Sequence, residues 1–267
     1  MKPAGRFLFA MAVVISLCWL VPVALIALSA LGPREAATAW PKAWWPSPFS
    51  LETLQFFVGF TGVWQAVLNS VIVALLTMVM SVLLGAPAGY ALARFDFKGQ
   101  DLYRVLVVMT RAFPLAILAL PLVTRFMAVG LYDTHLGVAL VHTALALPFA
   151  ILVSSSLFMA IPRELEEAAW TLGCNRLQGF LRIVAPLALP GLAAAMVFSF
   201  VVSWNEVFAA SVLTLKQRTL TAYLFASLEE SPLHFRFAGG FFLVLPSIVF
   251  IFAVRKYLFS MWGIAHR

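Results

Sequence analysis

The feature that most constrains this chain is the length of its uncharged stretches. Phe7–Leu31 runs for 25 residues without a Lys, Arg, Asp or Glu. About 20 consecutive apolar residues suffice for a helix to cross the hydrocarbon of a bilayer. Apolar stretches of similar length, some carrying an isolated charge or a charged end, recur at about 67–93, 103–127, 136–160, 187–211 and 237–257. Only 11% of the residues are charged and 63% are hydrophobic, whereas about a quarter of a soluble domain is charged. Backbone groups in lipid must be satisfied within the segment itself, which favours helices for runs this long. The expected fold is therefore an all-α integral membrane protein with six transmembrane helices, forming one transmembrane domain over 1–267. Met1–Arg6 is short and basic like the start of a signal peptide, but the apolar run behind it exceeds the usual 7–15 residues. It is read as a retained first span, with Pro22 as a candidate kink.

The loops set an orientation. Gly32–Gly62 is punctuated by Pro33, Pro41, Pro46 and Pro48, and its Trp40, Trp44 and Trp45 suit a membrane interface. With the N-terminus inside, Lys2, Arg6, Arg94, Lys98, Arg104, Arg163, Arg176, Arg182, Arg255, Lys256 and Arg267 fall on the cytoplasmic side. Arg34, Lys42, Arg125, Lys216, Arg218 and Arg236 fall outside, so eleven against six favours both termini in the cytoplasm. The formal charge of +7 comes with no basic cluster or recognition motif, so no nucleic acid is implied. Cys18 and Cys174 form no disulfide framework. In the second span, Gly85 and Gly89 make a small-xxx-small pair suited to close helix packing. Pro114 and Pro121 predict a bend in the third.

One polar island, Pro162–Pro186, interrupts the apolar sequence between the fourth and fifth spans. Pro162 with Glu164, Glu166 and Glu167 is a helix start, since carboxylates favour the positive end of the macrodipole. Leu165, Ala168, Ala169 and Leu172 then repeat at helical spacing. Gly173 can take a left-handed cap, and Asn175 with Gln178 three residues on predicts a second helix start. Leu177, Phe180, Leu181 and Val184 repeat the stripe, and Pro186 is expected to end it. The island is thus a helix–turn–helix hairpin. A bilayer-surface linker would also be amphipathic, but an interfacial helix usually carries Lys or Arg on its polar face. Here the first half is acidic.

Glu167-Ala168-Ala169, Gly173, Ile183 and Pro186 resemble the EAA loop of ABC-importer permeases, with Ala185 where leucine is common. Asn69-Ser70 and GYALARFDFKG at the end of the second span, and Trp204-Asn205-Glu206 in the fifth, are similar to the maltose-type carbohydrate branch. The resemblance implies a bacterial inner-membrane permease that forms half of a translocation pathway for a sugar or polyol. Its implied partners are a cytoplasmic ABC ATPase dimer, a second permease chain and an extracytoplasmic solute-binding protein. Glu166, Glu167, Ala168, Ala169, Gly173, Ile183 and Pro186 would then couple to the ATPase. The family's C-terminal tail often runs on with glycine-rich residues that reach the ATPases; here SMWGIAHR follows the last span. No GxxxxGK[ST] phosphate loop occurs in the chain, so ATP and Mg²⁺ are expected on the partner and no cofactor on this chain.

Ionisable groups inside spans are functional suspects because they are expensive there. Arg111 either lines a polar pathway or snorkels to the interface. His135 and His142 share a helical face without further metal ligands at matching depth, so they read as packing histidines and no metal site is assigned. His142, beside Thr143, is also a candidate pathway residue. Glu206 breaks an uncharged run reaching back to Ile183. Counting rise along straight helices places it within about a turn of Arg125, so Glu206 is expected to be held by Arg125 or by solvent, with Trp204 and Asn205 facing the substrate. No nucleophile–base constellation or paired carboxylate site appears, so no enzyme active site is read. The competing classes are a gradient-driven secondary transporter or channel, expected to show paired broken spans in two halves, and a membrane scaffold. Neither needs the hairpin.

Overall fold

The computed structural model describes residues 3–41 and 44–261. Lys2, Lys42 and the tail 262–267, which enter the charge count and the C-terminal expectation, lie outside them. All regular structure among the described residues is helical. In chain order the principal helices are α1 (Pro3–Ala30), α2 (Glu52–Gly59), α3 (Val63–Arg94), α4 (Gln100–Met109), α5 (Leu115–Ala128) and α6 (His135–Ala160). They continue as α7 (Glu164–Thr171), α8 (Arg176–Gly179), α9 (Ala185–Asn205), α10 (Phe208–Leu213), α11 (Leu220–Ala226) and α12 (Leu233–Met261).

The chain forms two compact units, Met1–Trp64 with Leu224–Pro246, and Gln65–Tyr223 with Ser247–Arg267. In the first, Phe57 is wholly buried against Phe235 and Phe242, with ring centroids 4.9 and 5.1 Å away. Arg34 pairs with Glu52 at 3.0 Å and caps the Phe56 ring. Helix α1 is exposed from Phe7 to Ala24.

The second unit is built on small side chains. Helices α6 and α9 pack along their length, with Ala146, Ala150 and Ala195 fully buried. A Cβ on Gly85 would stand 2.8 Å from the Ala150 Cβ, and one on Gly89 would stand 2.6 Å from the Ser154 Cβ. The two glycines let α3 lie against α6 backbone to backbone, the close packing their spacing predicted.

Among the described residues four helices are long and apolar enough to cross a membrane, Phe7–Ala30, Val63–Arg94, His135–Ala160 and Arg176–Asn205. The expected third span is bent, as its prolines predicted, and the bend is sharp. Helices α4 and α5 meet at an angle of 86°, with the break at Phe113-Pro114. Proline disfavours helical backbone at the residue before it and cannot donate a hydrogen bond. Pro121, by contrast, stays inside α5. The described apolar part of α12 is Leu233–Val249.

A correction concerns Pro186, which does not end the hairpin. Phe180–Val184 forms a π-helix, and helical backbone continues from Arg176 to Asn205. Pro186 has no N–H to return to Arg182. The wider turn, with the Ala185 N–H on the Phe180 carbonyl five residues back, carries the chain past that gap. The hairpin's second arm and the following span are therefore one element.

Candidate functional site

The hairpin is made by the local signals in its sequence. Three glutamates fall in the first turn of α7. Gly173 has φ +91, a left-handed conformation that L side chains rarely adopt. The amide of Gly173 donates to the Trp170 carbonyl and that of Cys174 to the Ala169 carbonyl, closing the helix end. Asn175 Oδ1 accepts from the Gln178 amide at 2.8 Å, and Gln178 Oε1 accepts from the Asn175 amide at 2.9 Å, a complete capping box.

The two arms divide their residues by burial. Val184 is buried, and Phe180 packs edge-on to Tyr90 of α3 and Phe158 of α6. Leu165, Leu172, Leu177 and Leu181 are left exposed, Leu172 to 86% and Leu177 to 65%. Glu167, Ala168, Gly173 and Pro186 are exposed and Ile183 is half-buried. Ala169 is buried by this chain, so a larger side chain there would strike its own chain before meeting any partner.

Glu166 is 2% exposed and turns inward. Its carboxylate accepts from the Tyr90 hydroxyl and pairs with the Arg94 guanidinium. Arg94 also donates through Nη2 to the carbonyl of half-buried Ile161, the C-cap of α6, at 2.9 Å. Arg163 Nη2 reaches the Ala93 carbonyl at 3.3 Å. The Arg176 guanidinium lies 5.6 Å from the Phe95 ring and 5.4 Å from the Trp170 ring. Sequence reasoning missed the roles of Tyr90 and Arg94. Their signal was present in GYALAR: an aromatic hydroxyl and a guanidinium at i and i+4 share one helical face.

The second group lies where α9 ends. Glu206 leaves the helix with extended backbone, and its carboxylate accepts the Ala209 and Ala210 amides at 2.9 and 3.2 Å, capping α10. His142 of α6 is wholly buried and donates Nε2–H to Glu206 Oε2 at 3.0 Å. With the ring neutral, Nδ1 accepts from the Ser203 hydroxyl at 2.8 Å. Thr221 Oγ1 donates to the Glu206 carbonyl.

These contacts correct the expectation that Arg125 or solvent holds Glu206. Glu206 is held by His142 and two amides, while Arg125 is exposed on α5. The depth count assumed a straight third span, and the 86° break removes that premise. Trp204 is 2% exposed beside Phe200, so it faces this chain's interior rather than a substrate. Asn205 is exposed and donates to the Val201 carbonyl at 2.9 Å. Arg111 is exposed at the α4–α5 break.

A third cluster holds the other end of α3 and α6. Asn69 Oδ1 accepts from His135 Nε2 and Gln65 Nε2, its amide donates to the Arg218 carbonyl, and Ser70 Oγ accepts from the Leu220 amide. Asp133, at φ 57, gathers the amides of Leu215, Lys216 and Gln217 on one oxygen at 2.8–2.9 Å. Burial pushes its carboxyl up, but those three amides outweigh it and hold the carboxyl below the usual range. A lone acid in a short loop before the helix-capping Thr134 was the available sequence signal.

Residues 81–260 match the family described as binding-protein-dependent transport system inner membrane component. The chain is 36% identical over 198 residues, 72% of each chain, to the trehalose transport system permease protein SugB of Mycobacterium tuberculosis (strain CDC 1551 / Oshkosh). It is 33% identical over 187 residues, 70% of this chain and 66% of the relative, to the sulfoquinovosyl glycerol transport system permease protein SmoH of Agrobacterium fabrum (strain C58 / ATCC 33970). The fold is similar to a chain in the crystal structure of a bacterial ABC transporter involved in the import of the acidic polysaccharide alginate. The TM-score is 0.74 at 21% identity, covering 96% of this chain and 98% of that one.

Proposed function

Because this chain belongs to the binding-protein-dependent transport system inner membrane component family, we propose that it is the membrane-spanning subunit of an ABC importer for a sugar or polyol. The relatives named for trehalose and sulfoquinovosyl glycerol transport support that substrate class. In this reading six helices span the inner membrane, with α4 and α5 together as one bent span and α12 as the last. Both termini and the hairpin face the cytoplasm. A cytoplasmic ATPase dimer binds ATP and Mg²⁺, a second permease completes the pathway, and an extracytoplasmic binding protein delivers the solute.

The observation that carries the reading is the two-sidedness of the hairpin. One side is anchored on α3 and α6, and the other presents Leu165, Leu172, Leu177 and Leu181, an apolar face a partner can cover. Glu167 and Ala168 are exposed on the same element. Asn205 and Arg111, both exposed, are the residues assigned to the pathway, while His142, Glu206 and Trp204 frame the helix end that carries Asn205.

The tagged chain, solubilised from membranes in mild detergent, should bring down an ATP-hydrolysing subunit. Leu172→Asp with Leu177→Asp should release that subunit while the chain stays in the membrane. Retention of the ATPase by this double variant would refute the docking face, and purification with no ATPase from wild type would favour a gradient-driven transporter.

A further inference from the structure

We propose that Glu166, Tyr90 and Arg94 form a clasp that makes the hairpin and the cytoplasmic end of α3 one moving body, so that ATPase motion drives α3 directly as well as α9. The inference rests on the hairpin being the ATPase-docking element.

A docking element needs only an outer face, yet Glu166 is turned inward and buried beside the exposed Glu167. A buried ion pair is a poor source of net stability, because desolvation offsets the attraction. What it supplies is fixed geometry. The planar guanidinium of Arg94 holds the Glu166 carboxylate through Nε and the end of α6 through Nη2. The Tyr90 hydroxyl takes the other carboxylate oxygen, and its ring is wedged against Phe158 and Phe180 at centroid distances of 5.7 and 4.7 Å. Arg176 between Phe95 and Trp170, and Arg163 on Ala93, repeat the link from hairpin to α3 on either side. The hairpin's second arm is continuous with α9 through the π segment. One element thus grips two spans, one through the backbone and the other through side chains. Glu166 is accordingly a positioning residue and not an ATPase contact.

The test uses the full importer with its ATPases in lipid nanodiscs, in a Cys18→Ser, Cys174→Ser background. Spin labels are placed pairwise at Thr171 of the hairpin, Phe97 after α3 and Val129 after α5, all exposed. ATP with vanadate is the probe. In the wild type the Thr171–Phe97 distance should stay fixed while both move relative to Val129. In Glu166→Gln and in Tyr90→Phe, Thr171 should still move relative to Val129 but the Phe97 shift should fall to less than half. Arg94→Lys, which keeps the charge but loses the planar fork that reaches Glu166 and Ile161 together, should keep only part of that shift, and Arg94→Met should keep less. A Phe97 shift of wild-type size in Glu166→Gln and Arg94→Met overturns the clasp. A wild-type Thr171 label that ignores nucleotide overturns the docking role of the hairpin itself, and the clasp with it.

Discussion

The imidazole of His142 on α6 donates to the Glu206 carboxylate at the end of α9, 3.0 Å away, with the histidine wholly buried. This bond ties the two helices that pack most extensively in the second unit at the point where one of them breaks. Glu206→Leu leaves the histidine and two amides of α10 without their acceptor, whereas Glu206→Gln keeps one oxygen for them. Leaving a buried group unsatisfied costs about 1–3 kcal/mol, so thermal unfolding in detergent should fall further for Glu206→Leu than for Glu206→Gln. Equal losses from the two variants would show that the carboxylate is not the bond that matters.

Gly89 should be intolerant for a reason of space. A Cβ there would meet Ser154 Cβ at 2.6 Å and the Ser155 amide nitrogen at 2.7 Å, and backbone cannot step aside. Gly89→Ala is expected to destabilise by about 1–3 kcal/mol. Gly59→Ala in α2, where a Cβ meets nothing within 4 Å, should be neutral or stabilising by up to about 1 kcal/mol. The same unfolding assay reads both.

At Gly173 the difficulty is conformational, since a Cβ there would meet nothing within 4 Å but φ is +91. Asparagine tolerates left-handed backbone better than a β-branched residue does. Gly173→Val should therefore loosen the ATPase in the co-purification assay, and Gly173→Asn should do so less.

Asp133 predicts an acid-sensitive loop. Its carboxyl is held below the usual range, so the charged form is favoured by folding. That stabilisation is fully present above the ordinary Asp value of about pH 4 and is lost as pH falls through the lower folded-state value. The protection factors of the Leu215, Lys216 and Gln217 amides, measured against their intrinsic exchange rates at each pH, should fall on that acid limb. Asp133→Ala should expose these amides at neutral pH, and Asp133→Asn should fall between the two.

Asn205 is the exposed member of Trp204-Asn205-Glu206. Its amide can bond sugar hydroxyls on giving up the Val201 carbonyl. Asn205→Leu should lower solute uptake by the reconstituted importer or shift which sugar is accepted, with the ATPase still bound. Wild-type uptake of the native sugar would remove Asn205 from the pathway.

Where the physics is local, the sequence by itself determined the outcome. The left-handed turn at Gly173, the capping box of Asn175 and Gln178, and the small-residue spacing of Gly85 and Gly89 follow from residues a few positions apart. Long uncharged runs likewise dictated helices, because lipid offers the backbone no other partner. The tertiary structure decided what spacing cannot carry. The proline pattern predicted a bend, but its size, 86° at Pro114, and the passage of helix through Pro186 depend on which neighbouring groups accommodate the missing N–H. Pairings across long separations were equally invisible. Glu166 meets Arg94 across 72 residues, and Glu206 meets His142 across 64, because packed helices juxtapose them. Counting depth along ideal straight helices brought Glu206 within reach of Arg125, since a rise per residue fixes height along an axis but neither its tilt nor the face a side chain takes.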